Sequence, residues 1–265
     1  MDQHLNFIAD YLLENDIDTS GAGLLYGKIG VAVFFFHYAR YCNNEKYEDH
    51  AINLVEKTQK QMLFMTSTDY DRGLTGIGTA IEYLEQNNFV EADTNEILED
   101  SDRKISHAVV YNNHTDTSLF SGLSGLGKYL LSRISGRYAD DNLVSTLNNK
   151  ILLIHITDIL EQKLSLKESD DVLRFLYELE QKHIYPAKVK RLLNQSSCNT
   201  QLIDIQNRHK QNIDILYKTK YDEFISGYPK GHYTMPPGLY GGLAGLGLFL
   251  LSMLDKRHIS WKELL

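Results

Sequence analysis

Cysteine, proline and tryptophan are scarce: the 265 residues hold two, four and one of them. Two cysteines, Cys42 and Cys198, cannot build a disulfide framework, and their surroundings fit no metal-ligand spacing. Met1-Asp2-Gln3-His4-Leu5 opens no basic stretch followed by an apolar one. The two thiols therefore read as reduced, in a cytoplasmic protein. With so few prolines and no Gly/Ser-rich stretch there is no evident linker, so a single domain over residues 1–265 is expected. No apolar run reaches the roughly 18 residues that a membrane span needs. Positive charge is also short, with 27 Lys and Arg against 35 Asp and Glu. The net charge of −8 argues against a general nucleic-acid binder.

What the chain does have is glycine in clusters. Gly27-Lys28-Ile29-Gly30, Gly73-Leu74-Thr75-Gly76, Gly122-Leu123-Ser124-Gly125 and Gly242-Leu243-Ala244-Gly245 each open an apolar run. The last follows Pro236-Pro237-Gly238-Leu239-Tyr240, where the prolines close the preceding segment. Gly238, Gly241 and Gly242 are then expected to make a tight turn with positive φ. Glycines inside the first helical turns, such as Gly245 and Gly247, each cost about 1 kcal/mol relative to alanine, which points to a packing need. The first three clusters are 46 and 49 residues apart and the fourth lies 120 further on. A period of this size implies a repeat of two-helix units.

Between the clusters the pattern alternates. Residues 2–15, with Leu5, Ile8, Leu12 and Leu13 on one face, and 45–65, with Ala51, Leu54, Thr58 and Met62, predict one-sided helices. Residues 29–41 and 73–86 are apolar on almost every side, which means burial all round. Two concentric layers follow, and the fold class expected is all-α, an α/α toroid with its glycine turns on one rim. The acidic run 91–102 reads as a solvated outer helix, and Leu143, Leu147, Ile151 and Ile154 mark another outer helix. Asp170-Asp171 look like the cap of a helix occupying the next repeat slot. Residues 182–220 are a divergent basic segment, eight Lys and Arg against Asp204 and Asp214. That segment is either an exposed charged helix pair or a docking face for an acidic partner such as a peptide, with Lys188, Lys190 and Arg191 as its candidate contacts.

The four G-x-x-G turns, each opening an apolar helix, resemble those of the lanthionine synthetase C-like family. The resemblance covers roughly residues 1–136 and 225–254. It implies an α/α toroid, incomplete or compact relative to the family, and a place in ribosomal-peptide, lantibiotic-type maturation. The family's cyclases use zinc to activate a peptide cysteine thiol, which adds to a dehydrated serine or threonine and closes a thioether ring. Such chemistry needs a Lewis acid to make thiolate near neutral pH and a group to protonate the enolate.

The family's metal turns, Trp-Cys-x-Gly-like and Cys-His-Gly-like, do not occur here: no cysteine precedes a histidine or a glycine, and the tryptophan is Trp261. Cys198, His209 and His232 are the chemically plausible substitutes, at spacings that match no ligand pattern. No cofactor is therefore expected. The aspartate that cyclases carry before an early G-x-x-G is matched by Asp69, with Asp71 second. Both are catalytic candidates by resemblance, and both are equally turn-capping residues by composition. His232, on the loop entering the last repeat, is a further peptide-binding candidate. The expected partner is a precursor peptide or a modification enzyme. A rival reading is a non-catalytic module that holds either of these. A carbohydrate-active toroid enzyme would need carboxylates paired across a cleft. A ring left open by missing units would expose an apolar patch and invite a homodimer.

Overall fold

Every regular element among the described residues is helical. The computed structural model describes residues 1–15, 21–163, 169–195, 202–228 and 235–265. In chain order the helices are α1 (Asp2–Glu14), α2 (Lys28–Cys42), α3 (Glu45–Met62), α4 (Leu74–Gln86), α5 (Thr94–Ile97), α6 (Glu99–Tyr111), α7 (Leu123–Arg133), α8 (Leu143–Lys163), α9 (Asp170–Gln181), α10 (Pro186–Gln195), α11 (Leu202–Gly227) and α12 (Leu243–Leu254). Two short 3-10 turns, Lys256–His258 and Ser260–Leu264, finish the chain. The all-α class read from the sequence holds.

The helices fall into two compact units. One comprises residues 1–65 and 209–265, the other 66–208. In the first, α2 is buried along nearly its whole length and packs on α3 and α12. α12 is likewise enclosed, with α1 against it. α1 and α3 bury one face each, through Leu5, Ile8, Ala9 and Leu12 and through Ala51, Leu54, Thr58 and Met62. The adjacent asparagines between α2 and α3 divide the work of ending one helix and starting the next. Asn43 takes the left-handed conformation that closes α2, and Asn44 accepts a side-chain bond from the Lys46 amide that opens α3. In the second unit α4 and α7 are the enclosed helices and pack on each other, with α6 and α8 outside them.

The enclosed helices are close because glycine leaves room for a ring. A Cβ on Gly78 would collide with the Tyr129 ring, one on Gly127 with Phe175, and one on Gly247 with Phe34. Gly127 and Phe175 join α7 to α9, so α9 takes the place of an inner helix in its unit, as the spacing suggested. Its cap is Ser169, whose hydroxyl accepts from the Val172 amide, and not Asp170 or Asp171. Ser169 is the better cap because its short side chain leaves both carboxylates to the first turn, where the helix dipole favours them.

One expectation fails in detail, and one helix packs by residues that the sequence pattern did not single out. In the last turn Gly241 alone of the three glycines has positive φ, +64°. Gly238 and Gly242 are needed for space, since a Cβ on either would strike backbone. On α8 the residues that mark the helix in the sequence are not its packing face: Leu143, Leu147 and Ile151 are exposed and Ile154 is half-buried, while Leu152, Leu153, Ile156 and Leu160 are buried. α8 is apolar on both faces, so periodicity could not say which one packs.

Candidate functional site

Each glycine corner is the same device. The first amide of a helix has no intrahelical acceptor. Here the Lys28, Leu74, Leu123 and Leu243 amides each donate to the carbonyl seven residues back, on Gly21, Ser67, Asp116 and Pro236, at 2.8–3.1 Å. The loop thus curls under its own helix. The capping residues Gly27, Gly73, Gly122 and Gly242 sit in extended backbone against the loop, and a Cβ on Gly73 would come within 2.6 Å of both the Asp69 nitrogen and the Ser67 oxygen. The corners also touch in pairs. In the first unit the Tyr240 amide donates to the Leu25 carbonyl at 2.9 Å, and in the second the Tyr70 amide donates to the Phe120 carbonyl at 2.8 Å.

Side chains fasten the second unit's corners. The Ser67 hydroxyl donates to Asp69 at 2.9 Å and accepts from the Asp69 amide at 3.2 Å. The next corner carries the same pair with its ends exchanged: Asp116 accepts from the Ser118 amide and hydroxyl, each at 2.8 Å, and from Ser121 at 2.7 Å. Burial works against the Asp116 charge, but these donors outweigh it and hold its carboxyl below the usual range. Asp71 is half-buried with Arg72 Nε 3.6 Å away, and burial pushes its carboxyl up against that cation. Asp69 and Asp71 therefore share one corner, with Asp69 acting as its clasp.

Beyond Tyr70, the N-terminal ends of α7 and α9 enclose a small cleft lined by Ser124, Lys128, Asp171, Arg174 and Glu178 over Leu119 and Phe175. Its volume of about 20 Å³ is room for a water or two. Asp171 accepts from the Leu119 amide at 2.9 Å. Its carboxylate thus stands where Phe120 stands for the preceding corner, as the acceptor offered by the next inner helix. Tyr70 is buried here, and burial, with Glu178 acting in the same sense and Arg174 opposing, pushes its hydroxyl far up. The sequence reading missed this cluster. Its traces were Lys128 inside an apolar helix and the i, i+4 pair Arg174 and Glu178.

This geometry coincides with a match in sequence: the family described as lanthionine synthetase C-like protein matches residues 20–175. The chain belongs to that family. In this lanthionine synthetase C-like protein the match begins just before the first glycine corner and ends at Phe175, the ring that sits against Gly127. The last corner, at Gly242, lies outside it. No curated protein matches the chain.

The family implies zinc, and zinc needs converging thiolate, imidazole or carboxylate donors. Among the described residues no three His, Cys, Asp or Glu side chains converge. Cys42 is exposed, its thiol pushed up by burial of its surroundings and turned to the Ala39 carbonyl. His209 lies on α11, while Cys198 and His232 fall outside the described residues. The described donors do not fit a zinc centre.

The basic candidates divide. Lys188 is ion-paired with Asp158 and, at 2.7 Å, with Glu161, which also holds Arg191. These acids keep the Lys188 ammonium well above its usual range, and Lys188 in turn holds Glu161 below its own. Lys190 is exposed on α10. Two of the three candidate docking charges are thus already answered from α8.

A second missed cluster lies at the other end of α4 and α7. Glu82 and Arg133 are buried and ion-paired, and Arg133 also reaches Asp102 at 2.8 Å and Asn95 at 3.1 Å. Tyr129 donates to the same Asp102 at 2.5 Å. Asp102 is therefore no solvated member of the acidic run. The first unit holds a buried pair of its own, His37 and His258, with Nδ1 atoms 2.9 Å apart, so one ring donates and the other accepts. No helix is long and apolar enough to cross a membrane among the described residues.

Proposed function

We propose that this lanthionine synthetase C-like protein serves ribosomal-peptide maturation in the cytoplasm by holding a precursor peptide or its modifying enzyme, and that it does so without zinc. The observation that carries this reading is the donor set. The corner that bears Asp69 and Asp71 offers carboxylates already engaged by Ser67 and Arg72, with no cysteine or histidine converging on them among the described residues. A thiol-activating centre needs such ligands. What the rim offers a peptide is hydrogen-bonding and charge. Lys128, Asp171, Arg174 and Glu178 surround a cleft too small for a side chain but open to a backbone laid across it.

The test uses the purified full chain and a synthetic peptide bearing one cysteine and one dehydroalanine. Zinc is measured by elemental analysis, binding by fluorescence anisotropy, and ring closure by loss of free thiol. The expected result is saturable binding without stoichiometric zinc and without thiol loss. One equivalent of zinc that disappears in Cys198→Ser, together with thiol consumption, would replace this reading with a zinc cyclase.

A further inference from the structure

We infer that the outer face of α8 is where two copies of this chain pair. Four large aliphatic residues stand out on it: Leu143 is 68 % exposed, Val144 82 %, Leu147 61 % and Ile151 55 %. The opposite face of the same helix is already used, with Leu152, Leu153, Ile156 and Leu160 buried in the second unit. A helix that is apolar on both faces is ordinarily covered on both.

The spacing says what kind of cover fits. Val144, Leu147, Ile151 and the half-buried Ile154 follow intervals of three, four and three residues. That is the seam of a helix packed along another helix. Charge says whose helix it is. The molecule carries a net charge of −8, yet between Leu143 and Ile154 there is no carboxylate and one cation, Lys150. Two acidic copies meet with least repulsion where neither shows an acid. A membrane-surface helix would instead be rich in Lys and Arg along its polar flank. In a two-fold, antiparallel pairing the same patch serves both copies. With its axis near Leu147, that pairing sets Lys150 of each copy opposite Val144 of the other, where no like charge meets it.

The area is adequate. The four residues show on the order of 400 Å² of aliphatic surface, the size at which exposed patches acquire a role. Two copies face to face would cover about twice that at the centre, and a polar rim would carry the total past the ~1,000 Å² that a specific contact needs.

The experiment is light scattering of the full chain across a dilution series, for the wild type and for Leu147→Glu. The wild type should pass from monomer to dimer in the micromolar range. Leu147→Glu loses an anchor from each side and places two like charges at the axis, so its dimer should be on the order of a hundred-fold weaker. Because Leu147 is mostly exposed, the variant should keep the wild-type far-ultraviolet circular dichroism, which separates loss of pairing from loss of fold. In a chain carrying Cys42→Ser and Cys198→Ser, Leu147→Cys should cross-link to itself on oxidation. A wild type that stays monomeric to about 100 μM overturns the proposal, whatever else covers the face. So does a dimer that survives Leu147→Glu unchanged, or one that fails to cross-link through position 147.

Discussion

Replacing Arg133 with methionine should cost more than any surface change and should cost most at alkaline pH. Arg133 is 4 % exposed and answers two carboxylates, Glu82, which is fully buried, and Asp102. Methionine fills much of the volume and takes the charge away, leaving Glu82 as a buried anion with no cation. Breaking a buried pair from one side costs about 3–5 kcal/mol. At roughly 2–4 °C per kcal/mol, the midpoint of thermal unfolding should fall by about 10 °C or more. The pH dependence follows from Glu82. Burial already pushes its carboxyl above the ordinary value of 4.5, against the opposing pull of Arg133. Without Arg133 the carboxyl rises further, so the folded state keeps a proton that the unfolded chain releases. Stability is then lost as pH rises through that window, and the deficit is smallest below pH 4.5 and largest at pH 8. Urea unfolding followed by circular dichroism at pH 5 and pH 8 measures both. Adding Glu82→Leu should return part of the loss, because an apolar replacement of a buried pair is often near neutral. A single variant within about 1 kcal/mol of wild type at pH 8, or equally weakened at both pH values, would refute the account.

Three further outcomes are expected. Gly127→Ala and Gly247→Ala should each destabilise by about 1–3 kcal/mol and be partly rescued by Phe175→Leu and Phe34→Leu, whereas Gly122→Ala, which meets the backbone of Ser118 and Asp116, should not be rescuable from any side chain; thermal melts of the single and paired variants check this. Burial, then the charges of His258 and Arg40, push His37 down to about 3, so the unfolded chain takes up a proton below 6.5 that the fold refuses. Stability should fall as pH drops from 6.5 toward 3, and a pH series of melts should show that slope flattened in His37→Gln. The double exchange Ser67→Asp with Asp69→Ser reproduces the clasp of the neighbouring corner and should melt within about 0.5 kcal/mol of wild type while still binding the peptide probe; a folded exchange variant that lost binding would show that Asp69 acts on the ligand.

The helices and glycine corners were legible because they rest on local chemistry. Gly73 and Gly122 are required by a loop seven residues long, and the enclosed helices announce themselves by being apolar all round. α8 was legible as a helix but not in orientation, since apolar residues on both faces give periodicity nothing to choose between. The acidic run 91–102 misled because the partner of Asp102 is Arg133, some thirty residues on and at the far end of an apolar helix. The clasp at Asp69 could have been read from the sequence: Asp116 and Ser118 stand at the same offsets from Gly122 as Ser67 and Asp69 from Gly73. The cleft could not, because it needs α9 to lie against α7.

Repetition itself indicates where function should be sought. A feature that recurs at Gly27, Gly73, Gly122 and Gly242 with the same backbone bond to a carbonyl seven residues back answers a requirement of the fold. The Ser67 and Asp69 pair recurs, reversed, as Asp116 and Ser118 at the next corner, so the fold has a use for it at both. The slot where the repetition fails is α9. The sequence has no glycine between Arg137 and Asp170, and the Leu119 amide is met by the Asp171 side chain where the preceding corner finds the Phe120 carbonyl. A carboxylate differs from a carbonyl in carrying charge and a second oxygen, and it sits among Lys128, Arg174 and Glu178. Along the rim of the second unit, that is where the chain puts a charged side chain in the place of loop backbone, so on the proposed reading it is the first place to look for a bound peptide.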